Sequence, residues 1–336
     1  ILRKVMQKYT AALPKVPKPV AQLISVPPFK FTEHVPLVYG VDSMGLGRKT
    51  FEDMNMGWGS MIYMTSLPSM NYPTILTIDG LHDYGQVFIN GKWVGKIDRV
   101  KGENSISLPV LKEKENQLMI VVEGMGRINF GRAIKDYKGI TGSVTLDRED
   151  QFGTLTYTPE HWISYTIPDT YSDALRALQT KNSSVIGWKN TTDENRMGYY
   201  RGYFNLKKTG DTFLNMESFG KGLVYVNGHA LGRFWHIGPQ QTLYLPGCWL
   251  KKGRNEIIVL DVVGPQGTPI CYAENHPELN KLHLEKSIAH NQPADQPDLN
   301  SKTPIISGNM KSGNGWQIIH FSQPATGRYM ALQIFD

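Results

Sequence analysis

The residues of this chain best suited to chemistry are aromatic side chains that stand beside hydrogen-bonding groups. Trp93, Phe234 and Trp235 each follow an Asn-Gly pair, and asparagine, histidine and arginine side chains lie nearby in the sequence. Such rings can stack on the apolar face of a sugar while the polar groups bind its hydroxyls. Large aromatics are equally suited to the core of a β-sandwich. The pattern therefore leaves a sugar-binding surface and a packed core as alternatives, and core packing is the default expectation.

Other residue types with catalytic potential lack the spacing that catalysis requires. His229 and His236 are seven positions apart across a turn, which is typical of structural histidines and not of a zinc site. The glycine-rich stretches match no nucleophile elbow, phosphate loop or dinucleotide fingerprint. No local spacing pairs the carboxylates, for example Glu52, Asp53, Glu123 and Glu217. We expect no metal ion and no cofactor.

Composition narrows the class of protein. The chain has 336 residues, 40% of them hydrophobic, which suits two or three globular domains. Its net charge of +6 is scattered along the sequence, so we expect no nucleic-acid partner. No apolar run approaches the roughly 18 residues of a membrane span, so we expect no membrane partner. Cys248 and Cys271 are compatible with a disulfide or with two free thiols.

The first residues differ in periodicity from the rest. Leu2, Met6, Tyr9 and Leu13 recur at helical spacing and predict an amphipathic helix over 1–13. Three prolines between positions 14 and 19 then favour an extended linker. We interpret residues 1–20 as the end of an upstream domain.

From about residue 21 the hydrophobic period becomes two. Short apolar runs alternate with turn signals at intervals of about ten residues, a spacing typical of β-sandwiches. A polar break occupies roughly 150–195 and contains a predicted short helix at "DALRALQ", residues 173–179. The chain is therefore predicted to be almost entirely β.

The sequence repeats itself at an offset of 137 positions. Each copy has an Asn-Gly hairpin turn, a glycine after the turn, a strand ending in Leu-Pro and then an apolar strand. The matched landmarks are Asn90-Gly91 with Asn227-Gly228, Gly95 with Gly232, and Leu108-Pro109 with Leu245-Pro246. We predict two homologous antiparallel sandwiches in tandem, over 21–148 and 149–275. Residues 21–40 are alternatively expected to pair with the second.

Several longer stretches resemble glycoside hydrolase family 35 β-galactosidases. The clearest is "VEGMGRINFGRAIKDYKGITGSVTL", residues 122–146, with "LHDYGQVFINGK" from Leu81 and "ESFGKGLVYVNGHALGRFW" from Glu217 in support. The similarity runs through roughly residues 20–265 in the order found in the family. It implies an all-β fold of tandem jelly-roll or galactose-binding-like sandwiches, preceded by one short helix left from a (β/α)8 barrel.

The resemblance also carries a functional expectation. In the family, two catalytic glutamates of a retaining mechanism lie on the barrel, and only residues 1–20 of this chain resemble a part of it. The chain is thus expected to hold no catalytic residue, to be inactive alone, and to support and rim a barrel that hydrolyses terminal β-galactosides. Its expected partners are that (β/α)8 domain and galactose-containing oligo- or polysaccharides, in an extracytoplasmic setting. The alternatives are a stand-alone carbohydrate-binding module and a structural scaffold.

The resemblance points to one loop as a rim of the barrel pocket. Arg127, Asn129 and Phe130 are the candidates for substrate contact, with Trp58 and Tyr84 as weaker ones. The family usually has tyrosine at position 130 and asparagine at 124, where this chain has phenylalanine and glycine, so position 130 retains stacking without a hydroxyl. Alternatively, the loop packs against the barrel and Arg127 holds that interface.

The last segment has a different composition. Residues 276–336 begin as a polar linker, and "GWQIIHFSQPATGRYMALQIFD" resembles part of a discoidin-like sandwich. Only about 55 residues follow Lys281, too few for a full module of that type. We expect a linker followed by a partial segment.

Overall fold

A computed structural model describes residues 2–10, 13, 15, 22–150, 153–180 and 197–277. Two α-helices are present there, α1 at Leu2–Met6 and α2 at Tyr171–Gln179. Short 3-10 turns occupy Leu37–Gly40, Glu52–Met54, Arg99–Lys101 and Gly247–Trp249. The described segments otherwise form strands and connecting loops, so the all-β prediction is confirmed. The predicted discoidin-like segment lies outside the described residues.

The strands are numbered in chain order. They are β1 Val26–Pro36, β2 Met44–Leu46, β3 Gly59–Met70, β4 Thr74–Ile78, β5 Leu81–His82, β6 Tyr84–Ile89, β7 Lys92–Asp98, β8 Ser105–Leu108, β9 Leu111–Gly124, β10 Gly139–Ile140, β11 Val144–Asp150, β12 Gly153–Tyr157, β13 Ile163–Ile167, β14 Gly198–Leu206, β15 Thr212–Asn215, β16 Lys221–Val226, β17 His229–Trp235, β18 Thr242–Leu245, β19 Gly253–Asp261 and β20 Ile270–Glu274.

The first sandwich contains a six-stranded sheet in the order β2-β13-β3-β9-β6-β7 and a four-stranded sheet in the order β12-β11-β4-β8. A small ladder of β5 and β10 lies beside them. The sequence interpretation had placed everything after residue 148 in the second sandwich. Instead, β12 pairs with β11 and β13 pairs with β3, because the hydrogen-bonding edges of those strands are free in the first sandwich.

The second sandwich is built from eight connected strands in the order β17-β16-β19-β14-β1-β20-β15-β18. β1 joins its two layers, since its first half pairs with β20 and its second half with β14. Register shifts in both pairings mark the bend that lets one strand serve two sheets. Residues 26–36 thus pair with the second sandwich, the alternative given for 21–40, and not with the first.

The predicted hairpin duplication is present in detail. Asn90 and Gly91 have φ of 50° and 79°, and Asn227 and Gly228 have φ of 49° and 87°, so each pair forms a type I′ turn. One residue beyond each turn is bulged out of the ladder, at Val94 before Gly95 in the first copy and at the matching position before Gly232 in the second. The repeat therefore extends to a backbone irregularity.

A buried asparagine pair is also duplicated. Asn90 Nδ2 donates to Asn116 Oδ1 at 2.9 Å, and Asn227 Nδ2 donates to Asn255 Oδ1 at 2.8 Å. Asn116 and Asn255 are fully buried at the start of the apolar part of β9 and β19. Each pair fastens a hairpin turn to the neighbouring core strand, because a buried amide must find hydrogen-bond partners.

Three apolar cores hold these layers together. One lies inside each sandwich, and a third lies between the sandwiches and includes Ala174, Ala177 and Leu178 of α2. β9 and β19 each contribute one face to their own sandwich and the other face, through residues such as Val121 and Leu260, to the shared core. The sequences of both strands are therefore continuous apolar runs, since both of their faces are buried.

The two helices had different outcomes. α2 confirms the helix predicted over 173–179 and begins two residues earlier, at Tyr171, with a capping box between Thr170 and Asp173. The helix predicted over 1–13 is wrong in length, because α1 ends at Met6. Val5, Met6 and Tyr9 are 49%, 52% and 85% exposed, so burial of these side chains adds little to the stability of this short helix.

Candidate functional site

The loop between β9 and β10, residues 125–138, rests on a buried charge cluster. Lys138 Nζ donates to Asp83 Oδ2 and to Asp136 Oδ2, both at 2.7 Å. Arg99 donates to the second oxygens of the same two carboxylates, at 2.6 and 2.8 Å. Two cations and two anions thus balance, and backbone N–H groups of Met125 and Ile128 complete the acceptors. We call Asp83, Arg99, Asp136 and Lys138 the loop-base cluster.

The ionised state of Asp136 suits a structural role in the loop-base cluster. Burial alone would raise the pKa of Asp136, but hydrogen bonds from Lys138 and Arg99 outweigh it and lower the pKa to about 2. An acid this strong is ionised at neutral pH, whereas a general acid of glycoside hydrolysis needs a raised pKa. Asp83 and Asp136 therefore fix the ends of the loop.

Arg127, a predicted rim residue, faces the protein. It forms an ion pair with Glu52 and donates to the carbonyl oxygens of Asp136, at 2.9 Å, and Gly57, at 3.1 Å. Glu52 also accepts from the backbone N–H of Lys138 at 3.1 Å. Arg127 thus ties the loop to residues 52–57, which brings the segment of Trp58 to the loop.

The remaining candidates, on this loop and just before β3, are exposed. Phe130 is 89% exposed, Trp58 is 66% exposed, and Asn129 also lies on the surface. Ile134 and Tyr137, which the sequence did not single out, are 61% and 43% exposed on the same loop. We call Trp58, Phe130, Ile134 and Tyr137 the exposed lip.

Tyr84 does not belong to the exposed lip. Its side chain is only 5% exposed, because β6 turns it toward the second sandwich. There it lies edge-on to Trp235, with ring centroids 5.6 Å apart, and 5.8 Å from the ammonium of Lys221. The expectation that Tyr84 rims a pocket is therefore corrected to a packing role between the sandwiches.

A second buried charge cluster joins the two sandwiches. Glu123 of β9 binds Lys221 of β16 and accepts from Arg233 of β17 at 3.0 Å. Arg233 also lies 3.7 Å from Asp169, which follows β13. Sequence reasoning missed this inter-sandwich cluster, although a glutamate at the end of the apolar run "LMIVVE" is the signal that reveals it.

Desolvation dominates at Asp169 in the inter-sandwich cluster. Burial raises the pKa of its carboxyl, while the charge of Arg233 and a hydrogen bond from Trp58 act in the opposite direction. Both charge clusters lie at the end of β9 that leads into the loop.

The other residues singled out from the sequence differ in how deeply they are buried and in what they contact. Phe234 is buried in the core of the second sandwich, as expected, and Trp235 is partly buried. Trp93 is 49% exposed, which is the opposite of the default core expectation. His229 stacks on Trp249, and His236 Nδ1 lies 2.9 Å from the carbonyl oxygen of Gly220. Both histidines have structural contacts, as predicted.

Three sequence expectations concern a disulfide, a metal site and a membrane-spanning helix. Cys248 is an exposed free thiol and Cys271 a buried one, so the disulfide alternative falls. Across 22–150, 153–180 and 197–277, no three histidine, cysteine or acidic side chains converge as metal ligands would. Neither helix in the described segments combines the length and apolarity of a membrane span.

Comparison with protein families matches two stretches of the chain. Residues 49–159 match the model "Beta-galactosidase, first all-beta domain", which covers most of the first sandwich and its loop. Residues 197–255 match "Beta-galactosidase, galactose-binding domain", in the second sandwich. The chain carries β-galactosidase accessory domains.

Individual β-galactosidases agree with this assignment. Human Beta-galactosidase-1-like protein 3 is 30% identical over 277 residues, which is 77% of this chain and 39% of the relative. Human Beta-galactosidase-1-like protein 2 is 32% identical over 62% of this chain and 30% of its own length. Bovine Beta-galactosidase is 32% identical over 63% and 33%, respectively. The chain spans about a third of the length of these β-galactosidases.

Proposed function

We propose that these β-galactosidase accessory domains support a catalytic (β/α)8 barrel and that the exposed lip rims its pocket. The barrel hydrolyses terminal β-galactosides of oligo- and polysaccharides, outside the cytosol. The observation that carries the proposal is the 89% exposure of Phe130 on a loop whose base is held by the buried Asp83, Asp136 and Lys138 and the half-buried Arg99.

The contrast between a rigid base and an apolar tip supports this role. When another surface covers exposed apolar side chains, the free energy falls by about 25 cal/mol for each Å² of apolar area buried. The loop-base cluster and Arg127 fix both ends of the loop, which limits the conformational entropy that the tip has to lose on contact. The tip can therefore contact either barrel or sugar with small ordering cost.

Asn129 and Phe130 are adjacent and exposed on the loop. A ring at position 130 offers stacking to a sugar face, and Asn129 offers an amide donor and acceptor to a hydroxyl. Arg127 is committed to Glu52 and two carbonyl groups and so positions the loop without contacting substrate. This division assigns substrate contact to the tip and positioning to Arg127.

The test uses a β-galactosidase polypeptide in which a catalytic barrel precedes this chain. Phe130→Ala is expected to lower kcat/KM for a β-galactoside by at least tenfold while the thermal unfolding temperature stays unchanged, and Phe130→Tyr is expected to retain activity. Leu155→Ala is the matched control, because Leu155 is 60% exposed on β12, in the other sheet. Equal kcat/KM for Phe130→Ala and the control would refute the rim.

The alternative is a carbohydrate-binding module that acts without a barrel. The match of residues 197–255 to a galactose-binding domain favours it. The isolated chain separates the two proposals in two assays. We expect no release of nitrophenol from nitrophenyl β-galactoside, and turnover would contradict the absence of catalytic residues. Binding of galactose to the second sandwich of the isolated chain would favour the alternative.

A further inference from the structure

A groove opens at the hairpin end of the first sandwich, away from the exposed lip. It has a volume of about 1070 Å³ and lies between residues 89–94 on one side and 107–113 with 115–117 on the other. This volume is at the upper end of the roughly 300–1,000 Å³ of ligand-binding clefts. The groove adjoins the start of β9 and the lip follows its end, roughly 40 Å away at about 3.3 Å per residue.

Trp93 supplies a preoriented aromatic face in this groove. Its ring is 49% exposed, and its Nε1–H donates to Gln86 Oε1 at 2.7 Å. Gln86 is itself 3% exposed in β6, so the acceptor is fixed by the sheet. The polar edge of the indole is thus satisfied inside the protein, while part of the ring stays accessible to a ligand.

The polar residues around Trp93 favour an uncharged ligand with many hydroxyls. Lys92 and Lys112 contribute two positive charges to the groove, and Glu113 and Glu115 contribute two negative ones. Their sum is zero, so neither a phosphate nor a polycation is favoured. Ammonium, carboxylate and amide groups around an aromatic face match the donors, acceptors and apolar C–H face of a sugar.

The second sandwich provides an internal comparison. The offset of 137 positions leads from Lys92 to His229. In the second copy His229 stacks on Trp249, with ring centroids 4.7 Å apart and an interplanar angle of 11°. Trp249 also packs against the core of that sandwich. A ring therefore covers the hairpin position of His229 in the second copy, whereas in the first copy Lys92 stands there beside an open groove.

We propose that the groove at Trp93 binds a segment of a neutral oligosaccharide. The proposal rests on the groove, the fixed indole and the balanced charges. Only the choice of galactose as the sugar unit rests on the proposed function. The groove thus provides a glycan contact separate from the lip, and it would hold a longer chain at a second point while its end occupies a catalytic pocket.

The experiment follows the indole N–H signals of the ¹⁵N-labelled chain during titration with β-1,4-galactotetraose and, separately, with cellotetraose. The chain has 7 tryptophans, and the signal missing from Trp93→Ala assigns Trp93. We expect a saturable shift of the Trp93 signal and at least tenfold weaker binding by Trp93→Ala. If only cellotetraose saturates the Trp93 shift, the result would support oligosaccharide binding in the groove and would contradict only the choice of galactose as the sugar unit.

Two further variants keep the test decisive if Trp93→Ala fails to fold. Lys92→His with Lys112→Trp places two additional rings in the groove, and it is expected to abolish the Trp93 shift while the Trp93 ring remains present. Leu155→Ala removes an exposed apolar side chain of β12, outside the groove, and is expected to leave the shift intact. The proposal is overturned if neither tetrasaccharide moves the Trp93 signal, or if the double variant binds as tightly as the native chain.

Discussion

Glu123 at the end of β9 accepts a hydrogen bond from Lys221 at the start of β16, and both side chains are buried between the sandwiches. The ammonium of Lys221 also lies 4.6 Å from the ring centre of Trp235. A buried charge without its partner is strongly unfavourable, so this pair fixes which surfaces of the two sandwiches meet.

Removing both members of the pair should therefore cost less than the sum of the two single losses. We expect Glu123→Gln to lower the free energy of unfolding by about 3–5 kcal/mol, because Lys221 remains buried with a partner that has lost its charge. Glu123→Gln combined with Lys221→Met should recover at least about 1 kcal/mol relative to additivity. Urea unfolding of the double-mutant cycle measures this, and strictly additive values would contradict a coupled pair.

The loop-base cluster predicts a similar loss from Lys138→Met. Asp83 and Asp136 would then share only Arg99, and we expect a loss of about 3–5 kcal/mol in the free energy of unfolding. Lys135→Met is the matched control, since Lys135 is an exposed lysine of the same loop whose ammonium lies over Tyr137. The control should change stability by less than about 0.5 kcal/mol. Equal losses would argue against the cluster.

Acid unfolding should report the low pKa of Asp136. The unfolded carboxyl titrates near pH 4, whereas the folded one has a pKa of about 2. The unfolded state thus binds more protons in this window, so stability present above about pH 4 is lost as the pH falls toward 2. The contribution is on the order of 2 kcal/mol. Urea midpoints of wild type and Asp136→Asn should converge over this range, and a constant difference between them down to pH 2 would contradict the low pKa.

The two bulge glycines should differ in their tolerance of a methyl group. A Cβ at Gly95 would lie 2.5 Å from Cδ1 of Ile106, which packs against the core of the first sandwich. At Gly232 the nearest atom is Cδ2 of Leu243, at 4.0 Å. Both glycines have positive φ, so the backbone cost is shared. We expect Gly95→Ala to cost about 1–3 kcal/mol more than Gly232→Ala in thermal or urea unfolding. Equal losses of stability for the two variants would mean that the Ile106 side chain moves aside without a measurable cost.

Local sequence patterns predicted the hairpins, the short helix and the repeat. Asn-Gly between apolar runs determines a type I′ turn through its own backbone preferences, and "DALRALQ" is helical by periodicity alone. Local sequence patterns did not predict to which sheets β1, β12 and β13 belong. Edge pairing depends on which strand ends are free in the folded molecule, and one-dimensional periodicity does not contain that information.

The candidate site shows the same division. The motif "DYKGI" identified the loop, but only the structure shows that its Asp136 and Lys138 are buried and paired with Asp83, between β5 and β6, and with Arg99, in the 3-10 turn after β7. Exposure also reversed two sequence expectations, since Trp93 is half exposed and Tyr84 is buried. Both residues lie in or beside β6, yet they face different neighbours.

The sequence by itself determined the all-β class, the duplicated hairpin unit and the resemblance to β-galactosidase domains, because turn chemistry, strand periodicity and motif order are local properties of the chain. Only the tertiary structure decided that the sandwiches share a third core, that charged residues distant in sequence neutralise one another there, and that a ring covers the hairpin position of His229 in one copy while Lys92 stands beside an open groove in the other. These features depend on which faces meet, and contacts between distant residues are set by packing of the whole chain.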